Sequence, residues 1–343
     1  MGELRAIVVG CGAMSAAWLR AASEIVGLKI VGLADLNRGR ALARAAEFGL
    51  DAMVETDAVA LIERLKPDLV FDIVVPEARH AIVLAAFQHG CHVLSEKPLA
   101  DTPRRAKELV RAARDVQRVH AVIQNRRFIP GTRRLQRFVG SGAIGSLTAL
   151  HADFFIGPHF GGFREEMDHV LLVDMAIHTF DMARTIAGAT PVAVYCQESN
   201  PANSWFAHGA AANAIFEFAD GSVFTYRGSW CAEGLRTSWE AAWRLTGTKG
   251  TATWDGGEDF RAERPLTSDG LIRDVEPIEI PVLDPHDAIG AHAGVIRDFI
   301  ESVRSGSEPE TVSHENIKSL AMCFAAIESA AAGRRVSLDL EGL

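Results

Sequence analysis

No apolar run in this chain approaches the length needed to cross a bilayer. No basic run stands out, and the formal net charge is −9. Both facts argue against a nucleic-acid or anionic-membrane partner. The five cysteines, Cys11, Cys91, Cys196, Cys231 and Cys323, are far apart and never form a CxxC pair. That excludes a zinc ribbon and a disulfide framework, and a reducing cytoplasm is the expected home. Internal repeats and low-complexity segments are also lacking. The opening "MGELRAIVVGCGAM" passes from a short apolar stretch straight into a glycine turn, so it reads as a first strand and not as a signal peptide.

The 343 residues are too many for one ordinary core, and two domains are expected. Apolar residues make up 48% and charged residues 23%, a globular, soluble composition. Up to about residue 125, short apolar runs alternate with helical patterns. Strands are expected at Ala6–Val9, Lys29–Ala34, Leu69–Val75, His92–Leu94 and His120–Ile123. Helices are expected at 13–25, 38–48, 58–65, 78–89 and 104–116. Gly49 and Gly90 stand at helix C-cap positions, and Thr102-Pro103 is a helix start. Such βα alternation gives a parallel, doubly wound sheet.

Beyond residue 125 longer alternating stretches appear, at 147–156, 192–198, 211–218, 222–229, 238–246 and 251–254. Asp220-Gly221 is a hairpin signal between two of them. One helix is expected over Val173–Ala187 and two late ones at 289–304 and 315–331. The fold class is therefore α/β: a first domain over residues 1–125, then residues 126–343 carrying a large open, mainly antiparallel sheet. The late helices are free to pack back on the first domain.

The segment "AIVVGCGAMSAAW" places Gly10, Gly12 and Ser15 in a G-x-G-x-x-S pattern between strand and helix. The first glycine allows a tight turn, and the second lets backbone approach a pyrophosphate held by the helix N-terminus. Asp35 ends the second strand, 25 residues after Gly10. A carboxylate there accepts from ribose hydroxyls and repels a 2′-phosphate, favouring NAD over NADP, although Arg38 is near enough to attract a phosphate. Gly10, Gly12, Ala13, Met14, Asp35 and Arg38 form the expected dinucleotide cradle, with Cys11 a small packing residue.

Two further features carry chemistry. In "CHVLSEKPLADT" a lysine, Lys97, flanked by Glu96 and Pro98, stands where a buried strand ends. In "LLVDMAIHTFDMAR", read as a helix, Asp174 and His178 are i,i+4 and Asp181 is i+3 from His178, so all three share one face. Buried carboxylates and imidazoles are costly unless paired or used. Asp181 is expected in a structural network with Arg184, and Asp174 and His178 in function.

These residues resemble the glucose–fructose oxidoreductase / inositol dehydrogenase / MocA (Gfo/Idh/MocA) family of NAD(P)-dependent oxidoreductases. The resemblance covers nearly the whole chain: the Gly10 loop, "VVPEARH", Glu96-Lys97-Pro98, "QNRRFIP" at Gln124–Pro130, and Asp174-x-x-x-His178-x-x-Asp181. It implies a Rossmann domain followed by an α/β domain whose open sheet often mediates oligomer contacts, giving a dimer or tetramer. It also implies that Lys97 lies at the nicotinamide and the substrate hydroxyl, with Asp174 and His178 facing it across the domain cleft. Pro76, His80, Glu96 and Asn125 would line the cofactor site. Lys97, Asn125, Arg126, Phe155, His159, Asp174 and His178 would be the substrate neighbours, with the glycine-rich loop Gly157–Phe163 as a mobile candidate. Two departures stand out: Ala176 where the family usually has glycine, and "MDHVLL" where it commonly has a glycine run.

Such a set permits hydride transfer between a nicotinamide and a secondary hydroxyl or keto group of a sugar, polyol or related compound. His178 is the expected general base, Lys97 stabilises or shuttles charge at the hydroxyl, and Asp174 orients His178. Two other readings stay open: a redox-neutral, glycosidase-type reaction that recycles NAD⁺, and a non-catalytic dinucleotide sensor. No metal is expected. His286 and His292, with Asp284 and Asp287, lack metal-ligand spacing, and His151 with Asp153 share a strand face. Trp205, Trp230, Trp239, Trp243 and Trp254 are expected to pack a sheet or an oligomer face.

Overall fold

The computed structural model describes residues 3–267 and 269–340. The chain divides into two compact units. Of the described residues, one unit runs to Phe128 and takes in Ile289–Ile317, and the other holds Ile129–Ala288 and residues 318–340.

In the first unit the elements are β1 (Leu4–Val9), α1 (Ser15–Ser23), β2 (Leu28–Ala34), α2 (Arg38–Glu47), β3 (Met53–Glu55), α3 (Ala58–Leu65), β4 (Leu69–Asp72), α4 (Pro76–Gln88), β5 (His92–Ser95), α5 (Pro103–Asp115) and β6 (His120–Val122). Six parallel strands form one sheet in the order β3-β2-β1-β4-β5-β6. This is the doubly wound topology, whose strand order reverses beside β1. The switch point lies at the carboxyl ends of β1 and β4, and that is where the site forms.

The local chemistry explains the boundaries. Asn37 and Asp57 cap α2 and α3 by accepting from the backbone N–H groups of the first turn. Thr102 Oγ1 accepts from Arg105 N at 3.3 Å, ahead of Pro103. Gly49 and Gly90 take positive φ after their helices, as C-cap positions require. β4 is shorter than the apolar run, because the chain turns after Asp72 to leave Ile73–Val75 at the site. β3 went unforeseen: three residues are too few to show an alternation.

In the second unit the elements are α6 (Pro130–Gly140), β7 (Leu147–Phe155), α7 (Ile177–Ala187), β8 (Pro191–Ser199), β9 (Ala211–Phe218), β10 (Val223–Ser229), β11 (Ala242–Gly247), β12 (Thr251–Trp254), β13 (Phe260–Pro265) and β14 (Val275–Pro277). Then come α8 (Ala291–Ser305), which belongs to the first unit, α9 (Ser313–Ala332) and β15 (Val336–Ser337). The nine-stranded sheet has the order β14-β13-β12-β11-β7-β10-β9-β8-β15. It is antiparallel except where β10 runs parallel to β7. The Asp220-Gly221 turn joins β9 to β10, with Gly221 at φ +86° and Asp220 Oδ1 accepting from Ser222 N.

Each unit has its own core. In the first, Trp18 and Leu19 of α1 and Val295, Ile296, Phe299 and Ile300 of α8 pack with the β1, β2 and β4 side chains. Trp18 meets Phe71 edge-on at 5.5 Å. In the second, Phe180 of α7 lies against Phe216, Phe224 and Tyr226 on the sheet, 4.8–6.1 Å between ring centres. That anchor fixes the helix carrying His178. Among the described residues, no helix is long and apolar enough to cross a membrane.

Candidate active site

The glycine turn is dictated by its surroundings. Gly10 has φ +93°, and a Cβ there would stand 2.5 Å from the Ile73 carbonyl oxygen at the end of β4. Only glycine meets both conditions. At Gly12 a Cβ would meet nothing within 4 Å, so the space before this backbone is open. Beside the turn is a cavity of about 890 Å³, lined among others by Gly10, Gly12, Asp35, Asn37, Arg40 and Val74. Asp35 Oδ2 accepts from Cys11 N at 2.8 Å, and its Oδ1 accepts from Asn37 N at 2.8 Å. The acid therefore shapes the turn as well as facing the cavity. Arg40 lines the cavity and Arg38 does not. Burial, then Asp35, push the Cys11 thiol up to about 12, with Arg44 opposing, so it stays a protonated packing group.

These residues fit a dinucleotide: a tight glycine turn, a small-residue approach, a helix start and a ribose-facing carboxylate border one cavity. Ala13 and Met14 lie between that turn and α1, and Pro76 is the first residue of α4. His80 stands farther along α4, its Nε2 2.8 Å from Glu108 Oε2 on α5.

Lys97 follows β5, the strand next to β4. Its backbone N–H donates to Glu96 Oε2 at 3.0 Å, and the Lys97–Pro98 peptide is cis. Glu96 N donates to the Asp72 carbonyl at 2.7 Å, while Glu96 Oε1 accepts from Trp18 Nε1 at 3.1 Å. Arg79, wholly buried on α4, donates to Asp72 Oδ2 at 2.6 Å, to the Val74 carbonyl at 2.8 Å and to the Pro98 carbonyl. Three segments of the site thus hang on one guanidinium. Sequence reasoning missed Arg79 and Trp18. The arginine inside "VVPEARH" was the available signal, whereas nothing marked Trp18 apart from other core aromatics.

Asn125 opens the short 3-10 turn Asn125–Phe128 that also carries Arg126. Its Nδ2 lies 3.4 Å from His292 Nδ1 on α8, and His292 Nε2 lies 3.9 Å from Glu96 Oε1. The site residues of the first unit thus converge on Glu96, together with a histidine that the sequence suggested only as a dismissed metal ligand. Asp284 and Asp287 face Arg137 in the second unit instead.

In the second unit the expected single α-helix over Val173–Ala187 is divided. Leu171–Ala176 forms a π-helical turn, and α7 begins at Ile177. The α-helical i,i+4 spacing therefore does not relate Asp174 to His178. The wide turn re-aims the side chains before it, a device frequent at functional sites. His178 is 8% exposed in the first turn of α7. Asp174 Oδ2 accepts from Arg164 Nε at 2.7 Å. Asp181, fully buried, accepts from Ser319 Oγ at 2.7 Å and faces Arg184 Nη2 at 3.6 Å, the expected structural network.

Arg164 comes from the short 3-10 turn after the glycine-rich loop, and its guanidinium lies over the Phe160 and Phe163 rings. His159 stacks on Trp205 at 3.8 Å and faces Glu233 at 3.1 Å, while Phe155 ends β7, bonded to Thr237. Trp230, Trp243 and Trp254 are buried, while Trp239 is exposed beside Phe160. His169 holds a left-handed φ of +52° while its Nδ1 lies 2.5 Å from Glu198 Oε2.

A doubly wound unit with a glycine turn at its switch point, followed by a unit built on an open sheet, defines a dinucleotide-binding α/β protein. Residues 4–124 match the oxidoreductase family with an NAD-binding Rossmann fold, and residues 132–253 match the C-terminal domain of the same Gfo/Idh/MocA grouping. The chain belongs to the Gfo/Idh/MocA oxidoreductase family. It is 26% identical over 345 residues to a D-apiose dehydrogenase of Paraburkholderia graminis, covering 98% of this chain and 90% of that one. It is 32% identical over 185 residues, 53% of each chain, to inositol 2-dehydrogenase 2 of Saccharopolyspora erythraea. An Agrobacterium radiobacter oxidoreductase crystallised with NAD⁺, L-tartaric acid and magnesium shares the fold, with a TM-score of 0.86, 23% identity and 98% of both chains covered.

Proposed function

We propose that this chain is an NAD-dependent dehydrogenase or reductase acting on a secondary hydroxyl or keto group of a sugar, polyol or related compound. The observation that carries the reading is the Gly10–Asp35 cradle beside a cavity of about 890 Å³, with the Glu96-Lys97 turn following the adjoining strand pair. NAD⁺ held in the Gly10–Asp35 cradle would supply the hydride acceptor. The chain's own residues handle the proton: His178 takes it from the hydroxyl, and Lys97 stabilises the developing alkoxide charge. Asp174, tied to Arg164, orients the hydroxyl-bearing substrate. Asn125, Arg126, Phe155 and His159 are the remaining substrate neighbours. The relatives' names, an apiose and an inositol dehydrogenase, support the substrate class.

The test is NADH formation, followed by its near-ultraviolet absorbance, over a panel of aldoses, inositols and hydroxy acids. One or more of them supports turnover, and Lys97→Met and His178→Ala each lower kcat by at least about a hundredfold. Near-normal kcat in either variant removes that residue from the proton path. The dimer or tetramer we assign forms through the outer face of the nine-stranded sheet, where Tyr195 and Ile215 are exposed. Sedimentation tests it: a Tyr195→Lys, Ile215→Lys double variant runs as a monomer. We place the enzyme in the cytoplasm, which five buried cysteines without a disulfide suit.

A further inference from the structure

We infer that His292 is a positioning residue for the Glu96-Lys97 turn, its ring held by the Asn125 amide on one side and facing the Glu96 carboxylate on the other. This rests on the dinucleotide and proton-transfer reading above and adds a residue to it.

The geometry comes from three separate elements of the first unit. His292 stands in the first turn of α8, Asn125 in the 3-10 turn after β6, and Glu96 at the end of β5. α8 is pressed onto the 3-10 turn at Gly294, where a Cβ would lie 2.7 Å from the Ile289 carbonyl and 3.0 Å from the Phe128 ring. That close approach fixes the imidazole's height over Glu96. Asn125 Nδ2 carries only hydrogens, so the His292 Nδ1 it approaches at 3.4 Å accepts. The neutral ring then carries its proton on Nε2, the nitrogen 3.9 Å from Glu96 Oε1. Glu96 accepts from Trp18 Nε1 and from the Lys97 backbone N–H. The carboxylate next to the lysine thus has two hydrogen-bond donors, with the titratable His292 Nε2 standing just beyond hydrogen-bond distance at 3.9 Å.

The charged groups facing His292 are Glu96, Arg126 and Lys97. Burial pushes the imidazole below the ordinary histidine range; Glu96 opposes this, and Arg126 and Lys97 add to it. The ring is neutral at neutral pH. On protonation its Nδ1 can no longer accept from Asn125, and a further cation stands beside Lys97 and Arg126. The acid limb of turnover then carries His292 as well as the proton acceptor.

Two experiments test this. The first needs no turnover: the His292 ring is titrated by NMR in the chain without dinucleotide and identified by its loss in His292→Asn. The expected midpoint lies below 6.5, the ordinary histidine value, and Glu96→Gln lowers it further by removing the attracting carboxylate. A midpoint that ignores Glu96→Gln overturns the proposal.

The second is kinetic. His292→Phe lowers kcat by roughly tenfold to a hundredfold with a small change in the KM for NAD⁺, and the acid limb shifts. His292→Asn restores much of kcat, because an amide can accept from Asn125 and donate to Glu96. Equal losses in both variants with an unchanged pH profile would mean a merely structural residue. If the Glu96 dependence holds and NADH binds, but no sugar or polyol turns over, the substrate reading fails and this assignment stands.

Discussion

Arg79 donates through Nε to Asp72 Oδ2 at 2.6 Å, and neither side chain has any exposed surface. A buried pair of this kind is retained only when further hydrogen bonds complete it. Here the remaining guanidinium nitrogens reach the carbonyls of Val74 and Pro98. One side chain thereby ties the end of β4, the start of α4 and the lysine turn. Arg79→Met leaves the Asp72 carboxylate buried and unpaired, at an expected loss of about 3–5 kcal/mol. Chemical denaturation checks it. In Asp72→Leu, Arg79→Met the stability recovers in part, but NADH binding does not, because the Pro98 tether is still gone. Full recovery of binding would show that Arg79 does not position the turn.

Gly10 gives a sharper test of the cradle. Alanine at φ +93° is strained, and its methyl would lie 2.5 Å from the Ile73 carbonyl oxygen. Either the turn or the end of β4 must shift. Gly10→Ala is expected to weaken NADH binding by at least about tenfold, since backbone displaced by an ångström no longer matches a pyrophosphate. Gly12→Ala meets nothing within 4 Å in the protein itself, so it folds as well as the parent. If it too binds weakly, the loss comes from the ligand's side of the turn. Fluorescence titration with NADH separates the two variants.

How much was legible follows from what each feature depends on. The glycine turn, Asp35 and the parallel sheet depend on local grammar, and the strand ends fell within a residue or two of expectation across most of the first unit. The hairpin at Asp220-Gly221 was equally local. β13 escaped because in "FRAERP" only Phe260 and Ala262 are apolar ahead of the proline, too short an alternation among charges to stand out, although β13 pairs with both β12 and β14. The π turn at Leu171–Ala176 was illegible because an α-helix and a π turn share the same apolar composition. Trp18 and His292 approach Glu96, and Arg79 reaches Pro98, from distant segments, so only the assembled fold brings them together.

A buried histidine, His120, and a half-buried one, His92, predict acid sensitivity. Burial, then Arg118, lower His92 to about 4, with Asp68 opposing. Burial, then Arg79, lower His120 to about 3. The His92 Nδ1 accepts from Val119 N at 3.0 Å, which the protonated ring cannot do. Unfolded histidines take up protons near pH 6.5, so below that pH the unfolded chain binds more protons than the native one. Stability is therefore full above about pH 6.5 and falls as the pH drops towards 4. The loss approaches about 1.4 kcal/mol per pH unit for each imidazole. Denaturant midpoints at pH 7, 6 and 5 measure it. His120→Asn flattens the slope, and an unchanged slope would acquit His120.

The proposed substrate contact in the second unit rests on the Arg164–Asp174 pair. Arg164 Nε donates to Asp174 Oδ2 at 2.7 Å, and its planar head lies 5.1 and 4.9 Å from the Phe160 and Phe163 ring centres. Asp174 is mostly buried and Arg164 about one-third exposed, so the pair is worth far less to stability than to orientation. The charge-assisted hydrogen bond from Arg164 Nε orients the Asp174 carboxylate, the proposed contact for a substrate hydroxyl. Arg164→Met keeps the stem that packs against the rings but removes this hydrogen bond to the carboxylate. The expected result is a rise in the substrate KM of about tenfold, with the KM for NAD⁺ and the denaturation midpoint unchanged. Arg164→Lys recovers the charge without the fork, and falls between the two. A KM for the hydroxyl substrate that does not move in Arg164→Met would show that Arg164 does not position Asp174.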